Sequence, residues 1–341
     1  MSSARAAVLV IGCRGQIGRE LMAARLPAGV SRLGLGHSDL DISDRDAVEA
    51  LVERCRPALI VNAAGYTAVD RAESEPQAAF AANSDAPAYL ADAAAAAASA
   101  LVHLSTDYVF DGAKTGAYTE DDPVGPLGVY GASKAAGERA VRERLERHVI
   151  LRTSWVFGTH GTNFVKTMLR LGRERDQLRV VADQRGCPTG AADIAEAVLG
   201  IARQLLIERR GDVWGTYHFA GRGATTWHGF AEAIFERAAP LWGRRPEVVP
   251  IATADYPTPA RRPASSVLDC TRFERTFGLP RRPWTEQLDA VLPSLLDRDA
   301  PSLWTEAQNE QRRDVLERPR EAATKPMPDS NNRHRQRAAR A

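Results

Sequence analysis

The sequence is poor in cysteine, and the few cysteines present show no binding pattern. Cys13, Cys55, Cys187 and Cys270 are the 4 cysteines in 341 residues, and they form neither a Cys-x-x-Cys pair nor a group with a histidine cluster. A disulfide framework or a zinc site would need such spacing. We therefore predict small, free thiols, as are usual in cytoplasmic proteins.

Long hydrophobic runs and an excess of charge of one sign are missing as well. The formal net charge is only +2, which gives no electrostatic basis for a nucleic-acid partner. Residues 1–7 are short and polar, so we expect no signal peptide. The alanine run over residues 93–98 is far too short to span a bilayer. We expect a cytoplasmic protein that binds neither nucleic acid nor a membrane.

The first half of the sequence alternates short apolar runs with longer helical patterns, such as those over residues 16–26 and 133–147. Continuous apolar strands joined by helices are typical of a parallel sheet covered on both faces. We predict an α/β fold with a doubly wound parallel sheet of the Rossmann type. The apolar runs predicted as strands cover residues 8–11, 58–61, 100–104 and 149–151.

After about Trp155 the pattern loosens, and prolines and glycines cluster between the helical patterns. Helices are still predicted over residues 163–175, 191–207, 226–238 and 284–296. We assign residues 1–155 mainly to a dinucleotide-binding domain, and residues 156–296 to the last sheet strands interleaved with a smaller C-terminal substrate lobe. Residues 297–341 contain few apolar side chains, so they cannot bury enough surface to fold alone, and we predict a flexible tail.

A glycine loop follows the first strand and opens the first helix, with the spacing Gly-x-x-Gly-x-x-Gly. Glycines permit a sharp turn and a close approach of a dinucleotide pyrophosphate, which the free N–H groups of the next helix can bind. The position between strand and helix favours this interpretation over a plain turn. The residues predicted to bind the cofactor here are Gly12, Arg14, Gly15, Gln16, Ile17 and Gly18.

The end of the second strand bears on which cofactor is used. An acidic residue there would bond the 2′-hydroxyl of NADH, but the position holds Gly36. Arg14 can reach the adenosine ribose, where a guanidinium suits a 2′-phosphate. We predict that NADPH is used at least as well as NADH; in the alternative, Arg14 points into water and both are accepted. Asp41 and Ile42 are placed for the adenine edge, although Asp41 equally suits a helix cap.

A tyrosine and a lysine four residues apart, Tyr130 and Lys134, form the predicted catalytic pair. Residues at this spacing share one face of a helix, so the ammonium can lie near the phenol. A nearby cation lowers a tyrosine pKa and makes the phenol a usable proton donor to a carbonyl. Thr106 ends an apolar strand, where ligands bind in doubly wound sheets, and its hydroxyl can orient the phenol.

Several longer runs carry a resemblance to a known family. The glycine loop, Asn62-Ala63-Ala64-Gly65, Ser105-Thr106-Asp107 and Tyr130-x-x-x-Lys134, in this order, resemble an extended short-chain dehydrogenase/reductase. Over about residues 7–296 the chain is similar to the dTDP-4-dehydrorhamnose reductase family. This closer resemblance is carried by residues 61–70, 72–75, 105–112, 152–156, 163–168, 183–189 and 256–263.

The resemblance implies a reaction. A hydride from NADPH, or also from NADH, would pass to C4 of dTDP-4-keto-6-deoxy-L-mannose while Tyr130 protonates the oxygen, which gives dTDP-L-rhamnose. Thr106 and Asp107 would touch the substrate, and Lys134 would also hold the nicotinamide ribose. The other implied contacts are Gly65, Tyr66 and Thr67 on the cofactor, Trp155 on the substrate and Arg262 on its diphosphate. From the residues alone, Trp155 equally suits the core and Arg262 a solvated loop.

The chain also departs from the family. The acidic residue that often ends the second strand is absent. Some members dimerise through a metal held by glutamates; Glu20 matches one of these positions, but Ala192 stands where another would be. We therefore predict no metal site, and a homodimer stays open.

Four other functions compete with this one. A sugar-nucleotide dehydratase would carry a glutamate directly after the Thr-Asp pair, where this chain has Tyr108, and epimerases lack the run over residues 105–110. Another 4-ketoreductase, for a different deoxysugar or of the dihydrostreptose type, is not separated by the sequence. A non-catalytic, cofactor-binding regulatory subunit would have no chemical need for the intact Thr106, Tyr130 and Lys134.

Overall fold

Strands and helices alternate through the first half of the chain, and short strands prevail in the second. The computed structural model describes residues 6–26 and 28–296. The strands are β1 (Ala6–Ile11), β2 (Val30–Leu35), β3 (Leu59–Asn62), β4 (Ala100–Thr106), β5 (His148–Thr153), β6 (Val156–Phe157), β7 (Gln177–Val181), β8 (Arg185–Gly186), β9 (Thr189–Gly190), β10 (Gly215–His218), β11 (Thr225–Thr226) and β12 (Glu247–Ile251).

The helices are α1 (Gln16–Ala23), α2 (Arg45–Cys55), α3 (Val69–Ala72), α4 (Pro76–Phe80), α5 (Ala86–Ala96), α6 (Val129–Arg144), α7 (Phe164–Glu174), α8 (Ala191–Leu206), α9 (Trp227–Trp242), α10 (Thr271–Phe277) and α11 (Trp284–Leu296). A π-helical segment (Ala81–Asp85) joins α4 to α5. Two 3-10 turns (Asp107–Val109 and Thr253–Asp255) follow β4 and β12.

Six strands form a parallel sheet in the order β10-β5-β4-β3-β1-β2. Because β1 lies between β2 and β3, the order of the chain across the sheet reverses at β1. A crevice for a ligand forms at the carboxyl ends of the strands beside such a reversal. Helices α1 and α8 pack on one face, and α2, α5 and α6 pack on the other. The predicted doubly wound α/β class is thus confirmed.

The alternating side chains of β1 show how the sheet joins two cores. Val8 and Val10 pack with the apolar face of α8, whereas Leu9 and Ile11 pack with α2 and α5. Successive side chains of a strand point to opposite faces, so one apolar run serves both layers. Burial of each such side chain stabilises the fold by about 1.5–3 kcal/mol. The carboxyl ends of the strands are therefore firmly anchored.

Helix α1 is shorter than predicted. It ends at Ala23 rather than at residue 26, and Ala24 is already extended. The guanidinium of Arg32, on the neighbouring β2, donates to the carbonyl oxygens of Leu21, Met22 and Ala24. These carbonyls would lack partners at a helix end, so a side chain from another strand terminates this helix.

Beyond residue 155 the strands are mostly two-residue pairs, in which β6 pairs with β9 and β8 with β11. Strand β7 pairs with β12, and β10 extends the main sheet beside β5. All cysteines are free thiols. Within the described ranges, no helix has both the length and the apolar character that crossing a membrane requires. The tail predicted for residues 297–341 lies outside the described residues.

Candidate active site

A pocket of about 980 Å³ opens along the carboxyl edge of the main sheet, where doubly wound folds bind their ligands. Two of its walls differ in make-up. We call residues 12, 14–17 and 63–67 the loop wall, and Trp155 with Trp227 the aromatic wall. Between the two walls lie Thr106, Asp107, Tyr108 and Tyr130.

Two glycines bring the loop wall close to its neighbours. Gly12 has a φ of +83°, and a Cβ there would lie 2.6 Å from the backbone nitrogen of Ala64. A Cβ at Gly18 would lie 2.1 Å from the carbonyl oxygen of Gly12. Helix α1 therefore begins at the pocket, where the free N–H groups of its first turn suit a pyrophosphate. Of the predicted loop residues, the pocket is lined by Gly12, Arg14, Gly15, Gln16 and Ile17, while Gly18 is buried behind them.

An ion pair stands where β2 ends. Arg14 lies across Gly36, at which a Cβ would meet Cδ of Arg14 at 2.8 Å. Nη2 of Arg14 lies 3.2 Å from Oδ1 of Asp39. The backbone N–H of Gly36 donates to the same carboxylate at 2.8 Å, and this bond, helped by Arg14, holds the pKa of Asp39 below its usual value. Arg14 is therefore paired with a carboxylate, while 61% of its side chain stays exposed.

Asp41 and Ile42 line the same end of the pocket. Oδ1 of Asp41 accepts from the hydroxyl of Ser43 at 2.7 Å and from its N–H at 2.9 Å, and these bonds lower the pKa of Asp41. The alternative role of Asp41 as a helix cap is not realised. Asp44 caps α2 instead, because its carboxylate accepts from the N–H of Ala47 at 3.1 Å.

Helix α6 carries the predicted catalytic pair. Tyr130 lies in its first turn at the pocket, and Lys134 follows one turn later as a buried side chain. Nζ of Lys134 donates to the carbonyl oxygen of Leu104, in β4, at 2.6 Å. A Cβ at Gly65 would lie 4.0 Å from the same nitrogen. Lys134 thus brings helix α6, the end of β4 and the loop wall together.

The pKa values of this pair differ from the prediction. Close packing raises the pKa of Tyr130 to about 12, although its hydrogen bond with Thr106 acts in the opposite direction. Burial lowers the pKa of Lys134 to about 8, and Glu138 opposes that shift. The prediction that Lys134 lowers the pKa of Tyr130 is therefore wrong for this structure, since desolvation of the phenol dominates and the ammonium is bound to Leu104. Tyr130 keeps its proton at neutral pH.

Thr106 and Asp107 end β4 beside Tyr130. The hydroxyl of Thr106 donates to Oδ1 of Asp107 at 3.1 Å and accepts from the N–H of Tyr108 at 3.2 Å. Asp107 is 2% exposed, and burial raises its pKa to about 7. Oδ2 of Asp107 has no partner within hydrogen-bond distance among the described residues, although Ser266 lies near enough to oppose the rise in the pKa of Asp107. Because buried polar atoms are normally bonded, this oxygen is well placed to contact a bound molecule.

Asn83 holds the loop wall against α6, and no motif in the sequence marks it. It lies on the π-helical segment and is buried. Its Oδ1 accepts from the N–H of Tyr66 at 2.8 Å, and its Nδ2 donates to the carbonyl oxygen of Tyr66 at 3.0 Å. Nδ2 also lies 3.0 Å from the hydroxyl of Ser133. Gly65, Tyr66 and Thr67 all line the pocket as a result.

A buried ion pair behind Lys134 was not predicted either. Glu138 follows Lys134 by one turn of α6, is fully buried, and accepts two hydrogen bonds from Arg152 of β5 at 2.8 and 2.7 Å. The hydroxyl of Ser105 donates to it at 2.6 Å. Burial alone would raise the pKa of Glu138, but the bonds from Arg152 outweigh it and hold that pKa below its usual value. The position of Glu138 four residues after Lys134 was the signal in the sequence that could have indicated a buried charge on this helix.

Arg262 lies against Asp70 and not in open solvent. Its Nη2 is 2.8 Å from Oδ2 of Asp70, and its positive charge acts to lower the pKa of the Tyr108 phenol. The ring of Tyr108 packs edge-on against Tyr130, with 5.8 Å between centroids. Burial raises the pKa of Tyr108 above its usual value. Tyr108 lines the pocket whereas Arg262 does not, so the residue predicted to face a diphosphate stands one side chain behind the wall.

The aromatic wall contains one predicted and one unpredicted residue. The indole of Trp155 stacks on that of Trp227, with ring centroids 3.5 Å apart and planes inclined by 5°. Both indoles are partly exposed at the pocket, so Trp155 is not a core residue. Trp227 begins α9, more than seventy residues further along the chain, and no sequence pattern connects it with Trp155.

Glu20 has two neighbours near α1. Its Oε1 lies 3.5 Å from the hydroxyl of Thr159 and 3.9 Å from Nε2 of His160. Ala192 stands in the first turn of α8. Across residues 6–26 and 28–296, no three His, Cys, Asp or Glu side chains come together in a way that could hold a metal ion.

Known sequences match nearly all of the described chain. A family model described as the RmlD substrate binding domain matches residues 6–296. The chain is 48% identical over 287 residues to a dTDP-4-dehydrorhamnose reductase of Sinorhizobium fredii, which covers 84% of this chain and 97% of the relative. It is 46% identical over 289 residues to one of Aggregatibacter actinomycetemcomitans, with 84% and 98% covered.

Solved structures show the same similarity. A dTDP-4-dehydrorhamnose reductase from Clostridium acetobutylicum superimposes with a TM-score of 0.79 at 37% identity, covering 85% of this chain and 100% of that one. One from Bacillus anthracis, solved in complex with NADP, superimposes with a TM-score of 0.78 at 35% identity, covering 85% and 99%. The family model over residues 6–296 and these two structures together show a shared fold over most of the chain.

Proposed function

This chain belongs to the dTDP-4-dehydrorhamnose reductase family, and on that premise we propose that it reduces dTDP-4-keto-6-deoxy-L-mannose to dTDP-L-rhamnose with NADPH, or also NADH, as the reductant. The observation that carries the proposal is the meeting of Tyr130, Thr106 and Lys134 at the carboxyl end of β4. Reduction of a keto group adds a hydride to carbon and a proton to oxygen. A protonated phenol beside a hydroxyl and an ammonium suits the second half of that reaction.

The loop wall fits a dinucleotide. At Gly12 the loop leaves no room for a side chain, and the first turn of α1 offers free N–H groups at the pocket. When bound there, the cofactor supplies the hydride. Gly12, Gly15, Gln16 and Ile17 would hold the pyrophosphate, Arg14 the 2′-phosphate, Asp41 and Ile42 the adenine, and Gly65, Tyr66, Thr67 and Lys134 the nicotinamide half.

Tyr130 is the proton donor in this proposal. Its pKa of about 12 keeps the phenol protonated at neutral pH, and the proton passes from Oη to the C4 oxygen as the C4–H bond forms. The phenolate left behind needs stabilisation, which the hydroxyl of Thr106 and the ammonium of Lys134 can provide. The product then carries a C4 hydroxyl in place of the keto group.

The substrate side of the pocket supplies polar contacts. Oδ2 of Asp107 lacks a partner among the described residues and can accept from a sugar hydroxyl. Arg262, whose guanidinium fork suits phosphate oxygens, would bind the diphosphate on releasing Asp70. A dehydratase would need a carboxylate base where Tyr108 stands, and burial raises the pKa of that phenol, so it stays protonated.

The test is an absorbance assay of NADPH oxidation across a panel of dTDP-4-keto-6-deoxy sugars, with product stereochemistry read by NMR. We expect turnover with the L-mannose-configured ketone. Turnover only with another sugar would identify a different 4-ketoreductase. Cofactor binding without turnover on any sugar would identify the regulatory alternative.

The first prediction concerns Tyr130 itself. Tyr130→Phe should keep NADPH affinity and lose about 10²–10⁴-fold in turnover, the range for a positioned acid. Tyr89→Phe is the matched control, because Tyr89 lies on α5 beneath Arg45 and does not line the pocket. A kcat for Tyr130→Phe equal to that of the wild type would show that Tyr130 is not the proton donor.

A further inference from the structure

The backbone at Trp155 is strained. Its φ is +46°, a left-handed conformation that is rare and energetically unfavourable for a bulky residue. Such a conformation persists only where the surroundings impose it. The carbonyl oxygen of Trp155 accepts from the N–H of Thr189 at 3.2 Å, just before β6 pairs with β9. The unusual backbone conformation at Trp155 therefore places its indole at the pocket.

Two aromatic rings continue from Trp155 into the C-terminal lobe. Trp227 stacks face to face on Trp155, with centroids 3.5 Å apart. Phe164, the first residue of α7, packs on Trp227 with centroids 4.7 Å apart and planes inclined by 47°. Trp227 contacts both rings, so it backs Trp155 rather than presenting an open stacking face of its own.

The run over residues 183–189 holds this arrangement from behind. Nε1 of Trp227 donates to Oε1 of Gln184 at 3.2 Å, and Nε2 of the buried Gln184 donates to the hydroxyl of Thr253 at 3.0 Å. A Cβ at Gly186 would lie 2.4 Å from the indole of Trp155. Strand β8, which contains Gly186, pairs with β11 directly before Trp227. One short ribbon therefore locates both indoles.

We propose that Trp227 is a positioning residue of the sugar site: with Gln184 and Gly186 it fixes the indole of Trp155 where the substrate's hexose lies. The proposal rests on the proposed function for the identity of the hexose. It deepens that function by assigning a role to Trp227 and to the glutamine and glycine of the 183–189 run. The main support for the proposal is that the backbone of Trp155 is strained while its indole is held by Trp227, which stacks on it and is itself hydrogen-bonded.

The kinetic test uses Trp227→Leu in the full chain, which removes the ring. A stacked aromatic pair contributes about 0.5–1.5 kcal/mol, equivalent to about a 2- to 12-fold change. We expect the KM for the sugar nucleotide to rise by that factor, and the KM for NADPH to stay within about twofold. Trp227→Phe, which keeps a stacking ring, should restore much of the loss.

Trp242→Phe is the matched control, because Trp242 ends the same helix α9 and does not line the pocket. It should leave both KM values unchanged. Near-ultraviolet circular dichroism provides an independent signature, since two parallel indoles at 3.5 Å couple their transitions. The coupled signal should vanish in Trp227→Leu and in Trp155→Phe, and it should persist in Trp242→Phe.

A binding measurement separates this proposal from the proposed reaction. Dissociation constants for dTDP-L-rhamnose and for dTDP, which has no sugar, give the contribution of the hexose alone. Trp227→Leu should lose about 2- to 12-fold of the preference for dTDP-L-rhamnose and keep its affinity for dTDP. That result supports the role of Trp227 even if the 4-keto sugar is not turned over. An unchanged preference, an equal loss for both ligands, or a wild type without any preference would overturn it.

Discussion

The two walls of the pocket are built in different ways. The loop wall follows the ends of β1 and β3, neighbours in a parallel sheet, and its members come from two short runs of sequence. The aromatic wall joins Trp155 to Trp227 through two-residue strands that lie far apart along the chain. The positions of the loop-wall residues follow from the topology of the sheet. The positions of Trp155 and Trp227 in the aromatic wall depend instead on side-chain packing.

This difference has a consequence for how each wall responds to mutation. Helix α6, which contacts the loop wall through Asn83, is joined to β5 by the buried ion pair of Glu138 with Arg152, and this pair cannot lose one member without leaving a charge in the core. The aromatic wall is held by ring stacking and by the bond from Trp227 to Gln184. We expect changes near the ion pair to act mainly on stability, and changes in the aromatic wall to act mainly on substrate binding.

The largest effect is expected from Glu138→Gln. Removing one partner of a buried pair costs about 3–5 kcal/mol, because the remaining charge of Arg152 is left uncompensated. The free energy of unfolding, measured with urea at pH 7, should fall by roughly this amount. Glu143→Gln on the same helix is the control, since Glu143 is 61% exposed and surface charges contribute little. An equal loss of unfolding free energy in Glu138→Gln and Glu143→Gln would contradict the expectation that changes near the buried ion pair act mainly on stability.

Asp107, which lies between the walls, is expected to oppose folding at alkaline pH. Its folded-state pKa of about 7 lies above the usual value of 3.8 because of burial. A raised pKa gives stability that is present below the unfolded pKa and is lost as pH rises through the folded pKa. Asp107→Asn removes this titration. Relative to wild type, the variant should gain about 2–3 kcal/mol between pH 5 and pH 8, as measured by urea unfolding.

Asp111 is a control of opposite sign. The hydroxyl of Tyr118 and the N–H of Ala113 hold the pKa of Asp111 below its usual value. Its contribution to stability is therefore present above the unfolded pKa and is lost as pH falls through the folded pKa. Asp111→Asn should not gain stability between pH 5 and pH 8. The same pH trend in both variants would show that the environment of Asp107 has no specific effect.

The two walls also differ in how far the sequence predicts them. Strand ends in a parallel sheet meet at one edge, so Gly12, Thr106 and Tyr130 could be brought together from their motifs alone. The pairing of β8 with β11, which places Trp227, involves two residues on each strand and has no periodicity to detect. Asn83 was not predicted for a related reason, because a π-helical turn interrupts the helical pattern of the sequence there.

Burial is the other quantity that spacing does not reveal. The interval between Tyr130 and Lys134 correctly placed both on one helix, yet it gave the wrong direction for the pKa of the phenol. Desolvation depends on everything packed around a group, and at Tyr130 it outweighs the hydrogen bond with Thr106, while the ammonium of Lys134 is bound to Leu104. The approach of one side chain to another is not revealed either: the absence of a carboxylate at Gly36 could be read directly, but the approach of Asp39 to Arg14 required the folded loop.

The smallest effect is expected at the far end of the loop wall, where Arg14 is proposed to select NADPH. A charge-assisted bond to a 2′-phosphate is favourable, but the side chain of Arg14 is 61% exposed and already paired with Asp39. We therefore expect about 1 kcal/mol, the upper range for an exposed ion pair, or about a fivefold preference. The ratio of kcat/KM for NADPH to that for NADH should fall by this factor in Arg14→Ala.

Asp39→Asn sharpens the same test, because it should raise the ratio of kcat/KM for NADPH to that for NADH, which Arg14→Ala should lower. Asp39 both competes for the guanidinium and repels a phosphate dianion, so its neutral variant should raise the preference for NADPH. Arg54→Ala, on the exposed last turn of α2, is the control and should leave the ratio unchanged. A wild type that prefers NADH, or an Arg14→Ala variant with the wild-type ratio, would show that the end of β2 does not select the cofactor through Arg14.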